Sequence, residues 1–280
     1  MKYVFIGGGA MATALISGIV RSGKDAANIK VVDPDEAQRS RLTTAFPQVQ
    51  CYSCLENALF EEVGIVVLAV KPQLLQAVAR QLAPFAPFIP VVLSIAAGVR
   101  VKDLSRWLGG YPTVIRAMPN TPAQANAGTT GIYAAPDVNE SARSQVHELL
   151  ESVGNVFWVI YEDMLDRVTA MSGCGPAYVL YFLECLEAAG RSMGLEEPEA
   201  RTTALDILSD GLALARHNNT PFTELRAQVT SKKGATENAI QVLDQAEVRK
   251  AFQKAIHAAR QRAAELGDEL GVDDPTHGTG

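Results

Sequence analysis

Apolar residues in the first part of the chain form short continuous runs, separated by segments in which apolar positions recur every three or four residues. Runs such as "KYVFIG" and "VGIVVLAV" are typical of strands that are buried on both faces of a sheet. The segments "MATALISGIVRSG" and "PQLLQAVARQLAPF" have the spacing of helices. This alternation predicts a doubly wound parallel sheet over residues 1–162. The other strands are predicted over "NIKVVD", "IPVVLSIAAG", "PTVIRAMPN" and "NVFWVI", and the other helices over "DEAQRSRLTTAF" and "NESARSQVHELLESVG".

From residue 163 onward the pattern is helical throughout. "GPAYVLYFLECLEAAGRSMG" is apolar almost all round, which predicts a helix buried on most sides. The segments 197–218 and 236–270 keep apolar residues at three- and four-residue spacing. Residues 163–270 are therefore predicted to form an all-helical domain that is too small to bury its own apolar surface, so we expect a homodimer interface there. The tail, residues 271–280, is predicted to be disordered.

The composition of the chain disfavours several classes of binding partner. The 280 residues carry a net charge of -6 and contain no long basic run, so nucleic acid and anionic membranes are poor partners. The uncharged stretch from Leu82 to Val99 contains three prolines, which argues against a membrane-spanning helix. The N-terminus has the lysine and apolar run of a secretory signal, but three consecutive glycines disfavour that interpretation. We expect a cytoplasmic protein.

Cys51 and Cys54 form a C-x-x-C motif. A structural zinc site would need a second close pair, which neither the other two cysteines nor the four scattered histidines supply, so no metal is expected. We interpret the motif as a strand end and loop with small buried cysteines. A redox pair is the alternative, although no thioredoxin-like pattern surrounds it.

The segment "FIGGGAMA" follows the first predicted strand and opens the first helix. Gly7, Gly9 and Ala12 have the G-x-G-x-x-A spacing of a dinucleotide-binding turn, which predicts a Rossmann-like domain. A glycine-rich turn without a ligand is the alternative. Asp33 ends the second strand, where an acid binds a ribose 2′-hydroxyl and repels a 2′-phosphate. Because Arg39 and Arg41 lie nearby and favour the phosphate, the choice between NADH and NADPH stays open.

Five further stretches carry a family resemblance. They are "LAVKPQ" (68–73), "SIAAGV" (94–99), "RAMPNTPA" (116–123), "VTAMSGCGPAYVLYFLE" (168–184) and "VTSKKGAT" (229–236). In this order and spacing the chain resembles the pyrroline-5-carboxylate reductases over roughly residues 2–270. The resemblance implies hydride transfer from NADPH or NADH to the C=N carbon of 1-pyrroline-5-carboxylate, which yields L-proline in the last step of proline biosynthesis. It also implies pairing through intertwined C-terminal helices, with further assembly that is commonly decameric.

The resemblance also implies roles for individual residues. In the loop 229–236, which would bind the substrate carboxylate, Thr236 is expected to be the helix N-cap and to hydrogen-bond the ring nitrogen, and Ser231 to contact the carboxylate. We assign catalytic roles to these two residues. The substrate-binding residues are Val229, Ser231, Gly234, Ala235 and Thr236. The cofactor-binding residues are Ile6, Gly7, Gly8, Gly9, Ala10, Met11, Asp33, Ala69, Val70, Lys71, Pro72, Ala96, Ala97, Met118 and Asn120.

The loop departs from the family pattern at Lys232 and Lys233, which stand where proline and glycine are usual. Loss of the glycine is expected to disfavour a positive φ at residue 233, while a lysine adds attraction for a carboxylate. Two alternative functions stay open: a related cyclic imine reductase with a different substrate, which these departures motivate, and a dinucleotide-binding sensor that has lost catalysis.

Overall fold

The computed structural model describes residues 1–217 and 219–273. Their contacts define two units: Met1–Cys174 together with the segment from Ala259 onward, and Gly175–Ala258. The predicted domain boundary between residues 162 and 163 stays a prediction. Residues 274–280 of the tail predicted to be disordered lie outside the described residues, and Asp273 within that tail accepts hydrogen bonds described below.

The first unit is built on a sheet with the strand order β3-β2-β1-β4-β5-β6-β7-β8. Neighbouring strands are parallel except β6 and β7, which are antiparallel. The Rossmann-like α/β prediction is therefore confirmed, with two strands reversed at one edge. The strands are β1 (Lys2–Ile6), β2 (Ile29–Val32), β3 (Gln50–Tyr52), β4 (Val63–Leu68), β5 (Val92–Ser94), β6 (Val114–Met118), β7 (Gly128–Ala134) and β8 (Gly154–Trp158).

Helices cover both faces of this sheet and also form the whole of the second unit. The helices of the first unit are α1 (Ala10–Arg21), α2 (Glu36–Ala45), α3 (Pro72–Leu82), α4 (Val101–Trp107), α5 (Glu140–Glu151) and α6 (Met164–Val168), with a π-helical turn at Thr169–Gly173. The helices that follow are α7 (Gly175–Ser192), α8 (Glu197–Arg216), α9 (Phe222–Gln228), α10 (Ala235–Gln245) and α11 (Val248–Leu270). Short 3-10 helices occupy Ala26–Asn28, Asn57–Leu59, Ala83–Phe88 and Thr121–Ala125.

Strand β1 is buried on both faces, which explains why its sequence is a continuous apolar run. Its side chains alternate between faces, so Tyr3 and Phe5 join one core cluster while Val4 and Ile6 join another. Helices α1 and α5 contribute to the first cluster, and helices α3 and α4 contribute to the second. Because both faces are buried, the strand is apolar from Tyr3 to Ile6.

In the first unit, the apolar pattern did not predict strand β7 or helices α4 and α6, and it indicated β3 only as a strand end at the C-x-x-C motif. Strand β7 reads "GTTGIYA", in which glycines weaken the strand signal. Packing explains these glycines, since a Cβ at Gly131 would lie 2.9 Å from the Val168 side chain and one at Gly128 would lie 2.9 Å from Ala123 Cα.

The second unit leaves most of its apolar surface exposed in the single chain. Its buried residues among those described are Gly190, Ala200, Ala204 and Leu225. Helix α7, predicted to be buried on most sides, has Gly190 as its one buried residue. The segment 236–270 is divided between α10 and α11 at Glu247, which has a φ of 52°. Among residues 1–217 and 219–273, no helix combines the length and apolarity that a membrane crossing requires.

Candidate active site

The glycine turn connects β1 to α1 and lies against the ends of two other strands. Gly7 has a φ of 99°, and a Cβ there would lie 2.7 Å from the carbonyl oxygen of Ala69. The Gly7 N–H donates to Val32 O at 2.8 Å, and the Ala69 N–H donates to Ile6 O at 2.8 Å. Position 7 therefore excludes a side chain both by backbone conformation and by space.

The start of α1 is open toward solvent. Gly9 is its N-cap residue, and a Cβ at this position would meet no atom within 4 Å. The first amides of a helix lack intrahelical acceptors, and α1 has no acidic residue in its first turn. Ala12 is fully buried, so the helix lies close to the sheet as the motif predicts. These features fit the pyrophosphate of a dinucleotide, which the helix N-terminus would attract.

Asp33 has a structural role in addition to its predicted contact with ribose. Its Oδ2 accepts a hydrogen bond from the Gly8 N–H at 2.7 Å, and its Oδ1 accepts one from the Asp35 N–H at 2.9 Å. Asp33 thus connects the end of β2 to the glycine turn. Arg39 donates to the Asp33 carbonyl oxygen at 2.7 Å, whereas Arg41 is exposed and lines a groove of about 530 Å³ that Gly8 also lines.

The predicted cofactor residues of three segments share one edge of the sheet. Strands β1, β4 and β5 are parallel neighbours that end at Ile6, Leu68 and Ser94. Ala69 and Val70 are half-buried where β4 ends, Lys71 is the exposed N-cap residue of α3, and Pro72 begins that helix. After β5, Ala96 is buried and Ala97 is half-buried. This carboxyl edge is where doubly wound sheets bind ligands.

Two other predicted cofactor residues are engaged by protein atoms: Met118, the last residue of β6, and Asn120, two residues beyond it. The Asn120 side chain accepts a hydrogen bond from the Thr129 N–H at 2.8 Å and donates to Ser172 O at 3.2 Å. Met118 Cε lies 2.8 Å from the position that a Cβ would take at Gly173. Asn120 therefore connects the "MPNT" segment to the "MSGC" segment, and its role in cofactor binding stays a prediction.

The loop 229–236 lies in the second unit, and its geometry corrects the expected helix cap. Gly234, not Thr236, is the N-cap residue of α10, and Thr236 is the second helical residue. The Gly234 N–H donates to Ser231 O at 3.0 Å, so it is not free. The amides of Ala235 and Thr236 stand in the first turn, where no intrahelical acceptor exists. Gly234 is required by space, because a Cβ there would collide with Ser231 Oγ.

Lys233 keeps the conformation that the family's glycine would favour. Its φ is 60°, so the residue adopts the positive φ that the loss of glycine was expected to disfavour. A left-handed residue other than glycine costs about 1–2 kcal/mol. The Lys233 N–H donates to Glu237 Oε2 at 2.6 Å, which offsets part of this cost. Lys232 and Lys233 are both exposed, as are Val229, Ser231 and Thr236.

The C-x-x-C motif lies at a strand end as predicted, but its two cysteines differ in burial. Cys51 lies on β3 and is half-buried, but Cys54 is exposed, so the interpretation of two buried cysteines is wrong for the second. Both are free thiols. Burial raises the pKa of the Cys51 thiol, with Arg39 opposing the shift and Asp33 adding to it, which disfavours a reactive thiolate. In the part of the chain that the structure describes, no three His, Cys, Asp or Glu side chains gather as a metal site.

A buried ion-pair cluster near the end of β6 was missed. Arg116 is 3% exposed and lies 3.1 Å from Glu162 and 3.9 Å from Asp166. Glu162 also accepts the Val101 N–H at 2.7 Å, so the cluster joins β6, α4 and the segment before α6. Burial raises the pKa of Asp166, although Arg116 and Arg100 oppose the shift. The signal in the sequence was a single arginine within the apolar run "TVIRAM".

Comparisons with known proteins agree with this architecture. Residues 162–266 match the family model described as pyrroline-5-carboxylate reductase dimerisation, and residues 2–98 match the model described as NADP oxidoreductase, coenzyme F420-dependent. The chain is 37% identical to the pyrroline-5-carboxylate reductase of Pseudomonas aeruginosa over 270 residues, which cover 96% of this chain and 98% of the relative. The chain belongs to the pyrroline-5-carboxylate reductase family.

Solved structures of the family have the same fold. A pyrroline-5-carboxylate reductase from Coxiella burnetii is 32% identical, with a TM-score of 0.86 over 95% of this chain and 98% of that one. The Plasmodium falciparum pyrroline carboxylate reductase, solved with NADP bound, is 25% identical, with a TM-score of 0.84 over the same shares. The resemblance on sequence motifs is thus confirmed. The second unit lies within the matched dimerisation segment, which indicates self-association.

Proposed function

We propose that this chain reduces the C=N bond of 1-pyrroline-5-carboxylate to L-proline, with NADPH or NADH as the reductant, as the last step of proline biosynthesis. The observation that carries the proposal is the match, over 96% of the chain, to curated pyrroline-5-carboxylate reductases. The open helix start beside Gly7–Gly9 supports the nucleotide part of the proposal independently of that match. The few cysteines and the biosynthetic reaction support a cytoplasmic location.

The first unit holds the cofactor. A reduced nicotinamide supplies the hydride for the imine carbon. The glycine turn and the first amides of α1 bind the pyrophosphate, and Asp33 faces the ribose next to the turn. The carboxyl ends of β4 and β5 contribute Ala69–Pro72 and the Ala96–Ala97 pair to the same sheet edge.

The second unit holds the imine through the loop 229–236. The amides of Ala235 and Thr236 and the Ser231 hydroxyl bind the carboxylate, and the nearby charge of Lys233 strengthens that attraction. The Thr236 hydroxyl hydrogen-bonds the ring nitrogen. A protonated imine accepts hydride readily, so the protein contributes chiefly alignment, which is worth roughly 7–11 kcal/mol at best.

We also propose that the chain works as a homodimer joined through the second unit. The exposed apolar residues of α7 support this assembly: Val179, Leu180, Tyr181 and Phe182.

The test is cofactor oxidation by the purified full-length protein. NADH and NADPH are supplied separately, with racemic 1-pyrroline-5-carboxylate as substrate, and L-proline is identified as the product. Turnover that is faster on the five-membered imine than on its six-membered homologue is the expected result. A preference for the larger ring would favour the alternative imine reductase, for which the two loop lysines are the motivation. Tight cofactor binding without any turnover would favour the sensor.

A further inference from the structure

The C-terminal segment, defined here as residues 263–273, packs within the first unit against the loop that follows β5. That loop comprises residues 95–100 and is called the β5 loop below. Ala263 and Gly267 are buried, although the neighbouring residues Asp268 and Glu269 are exposed. One face of the last turns of α11 is therefore covered by protein of the first unit.

Glycines on both sides let the two segments approach backbone to backbone. A Cβ at Gly267 would lie 3.0 Å from Gly98 O and 3.2 Å from Arg100 Nε. Gly98 has a φ of 83°, and a Cβ there would lie 3.0 Å from Leu270 Cδ1. Neither position has space for a side chain unless its neighbours shift.

Arg100 joins the β5 loop to the segment by polar contacts. Its Nη1 lies 2.6 Å from Asp268 Oδ1, and its Nη2 donates to Ala264 O at 3.3 Å. Because Arg100 is also the N-cap residue of α4, these contacts fix the point at which the loop enters the helix.

Asp273 anchors the end of the segment to α3 and α4. Its Oδ1 accepts hydrogen bonds from Trp107 Nε1 at 2.9 Å and from Gln76 Nε2 at 3.0 Å, and Arg80 lies 3.3 Å away. Arg106 donates to Gly271 O at 2.7 Å. The hydrogen bond from Trp107 is the main cause that holds the pKa of Asp273 below its ordinary value, with further contributions from Arg106, Arg80 and Gln76.

We propose that the C-terminal segment is a positioning element that holds the β5 loop in the conformation that receives the nicotinamide cofactor. The inference rests on the proposed function, in which Ala96 and Ala97 of this loop contact the cofactor. Gly98 and Arg100, which the segment touches, are two and four residues after Ala96 in the same loop. Loss of the segment's contacts therefore loosens cofactor binding before it affects the reaction itself.

Two adjacent acidic residues of α11 provide a matched test. Asp268 and Glu269 each lie 2.6 Å from an arginine, but Asp268 pairs with Arg100 of the β5 loop and Glu269 pairs with Arg262 of its own helix. Asp268→Asn is expected to raise the cofactor Kd about threefold, because an exposed ion pair contributes little free energy. Glu269→Gln is expected to leave the cofactor Kd unchanged. The Kd is measured by titration of the cofactor without imine, so the result stands even if the chain reduces no imine. Equal effects of the two substitutions would overturn the proposal.

The variant Gly267→Ala distinguishes an effect on cofactor binding from an effect on the stability of the fold. Alanine favours the helix by about 1 kcal/mol, but its Cβ must push against Gly98 O. We expect an unchanged or higher Tm together with a cofactor Kd that is raised about tenfold. The factor should be the same for NADH and NADPH, because Asp33 follows β2, and two strands, β1 and β4, lie between β2 and β5. With saturating cofactor, kcat should stay within about twofold of the parent value. An unchanged Kd in a variant with unchanged Tm would contradict the inference.

Tryptophan fluorescence reports whether the segment is docked. The chain has two tryptophans, so Trp158→Phe leaves Trp107, the donor to Asp273, as the only emitter. In that background Asp273→Ala should change the Trp107 emission and raise the cofactor Kd together, and Asp273→Asn, which keeps an oxygen acceptor, should recover part of both. A changed emission with an unchanged Kd would show that docking and cofactor binding are independent, which would refute the proposal.

Discussion

The two units of this chain contain similar proportions of apolar residues but bury them very differently. In the first unit two core clusters cover both faces of the sheet, and Phe5, Leu15 and Leu75 are fully buried. In the second unit Leu180 is 58% exposed and Tyr181 is 64% exposed. A surface of this kind is stable in water only when another surface covers it. The first unit thus buries its apolar core within one chain, whereas the second leaves apolar surface exposed, in keeping with the self-association that the matched dimerisation segment indicates.

The same contrast holds for polar groups. The buried polar and charged residues of the chain lie in the first unit, among those that the structure describes: Gln76, Ser94, Asp103, Arg116 and Thr130. Such groups must be paired where they are buried, and Arg116 has its two carboxylates. Electrostatic effects on stability should therefore arise mainly in the first unit, and effects on association mainly in the second.

The largest expected effect comes from a charge placed on α7. Leu180→Glu puts a carboxylate into the expected interface and should weaken self-association by at least about 100-fold, as measured by analytical ultracentrifugation. Leu74→Glu is the matched control, because Leu74 in the first unit is 55% exposed and Leu180 is 58% exposed. If both variants remained associated, or if both dissociated, the distinction between the two units would be wrong.

The next largest expected effect is on the cofactor Kd, and it comes from substitutions in the glycine turn of the first unit. Gly7→Ala combines a left-handed φ with a Cβ at 2.7 Å from Ala69 O, so it should lower Tm and raise the cofactor Kd by about 100-fold. Gly9→Ala meets no protein atom within 4 Å and should leave Tm unchanged. It should still raise the Kd about tenfold, because its methyl group occupies the approach of the pyrophosphate. A parental Kd for Gly9→Ala would mean that the pyrophosphate does not lie there.

The third expected effect is on the kinetic constants for the imine, and it comes from substitutions in the loop 229–236 of the second unit. Ser231→Ala should raise KM for the imine about tenfold with little change in kcat, since a carboxylate contact is made equally in the ground and transition states. Thr236→Ala should lower kcat/KM by about tenfold or more if its hydroxyl contacts the ring nitrogen. Neither should change the cofactor Kd. An unchanged kcat/KM for Thr236→Ala would remove its catalytic role.

The smallest effect is a pH dependence of stability in the first unit. Burial raises the pKa of Asp166 above its ordinary 3.8, so the folded chain binds this proton more tightly than the unfolded chain does. The stability that Asp166 contributes should therefore fall as the pH rises from about 3.8 through the raised value. Relative to wild type, Asp166→Asn should gain stability over that pH window in denaturant titrations. A difference that is constant with pH would contradict this assignment.

Much of the first unit was predictable because its signals are local. Apolar runs between periodic segments marked six of the strands, and three glycines after the first run marked the turn whose geometry Gly7 confirms. Strand β7 was not predictable, because its glycines weaken the strand pattern and are explained only by packing: Gly128 against Ala123, and Gly131 against Val168, which lies 37 residues further along the chain. The ion pairs of Arg116 depend on Glu162 and Asp166, about fifty residues away in sequence, and no local rule pairs them.

The loop of the second unit shows where local rules fail. Threonine is a favoured N-cap residue, yet Gly234 rather than Thr236 caps the helix. Lysine lacks the backbone freedom of glycine, yet Lys233 adopts the left-handed conformation. The Glu237 carboxylate accepts the Lys233 N–H and so offsets the local preference. A single hydrogen bond contributes about 0.5–1.5 kcal/mol net, so it can offset much of the cost of a left-handed residue, which is about 1–2 kcal/mol.

The sequence by itself determined the class of fold, the glycine turn after β1 and the family, because hydrophobic periodicity and contiguous motifs act over a few neighbouring residues. The tertiary structure decided which distant residues meet: Asp33 with Gly8, Asn120 with Ser172, and Asp273 with Trp107. Each of these contacts joins segments whose proximity follows from the order of strands in the sheet and the packing of helices on it. That order is set by the burial of the whole core, which no short window of sequence contains.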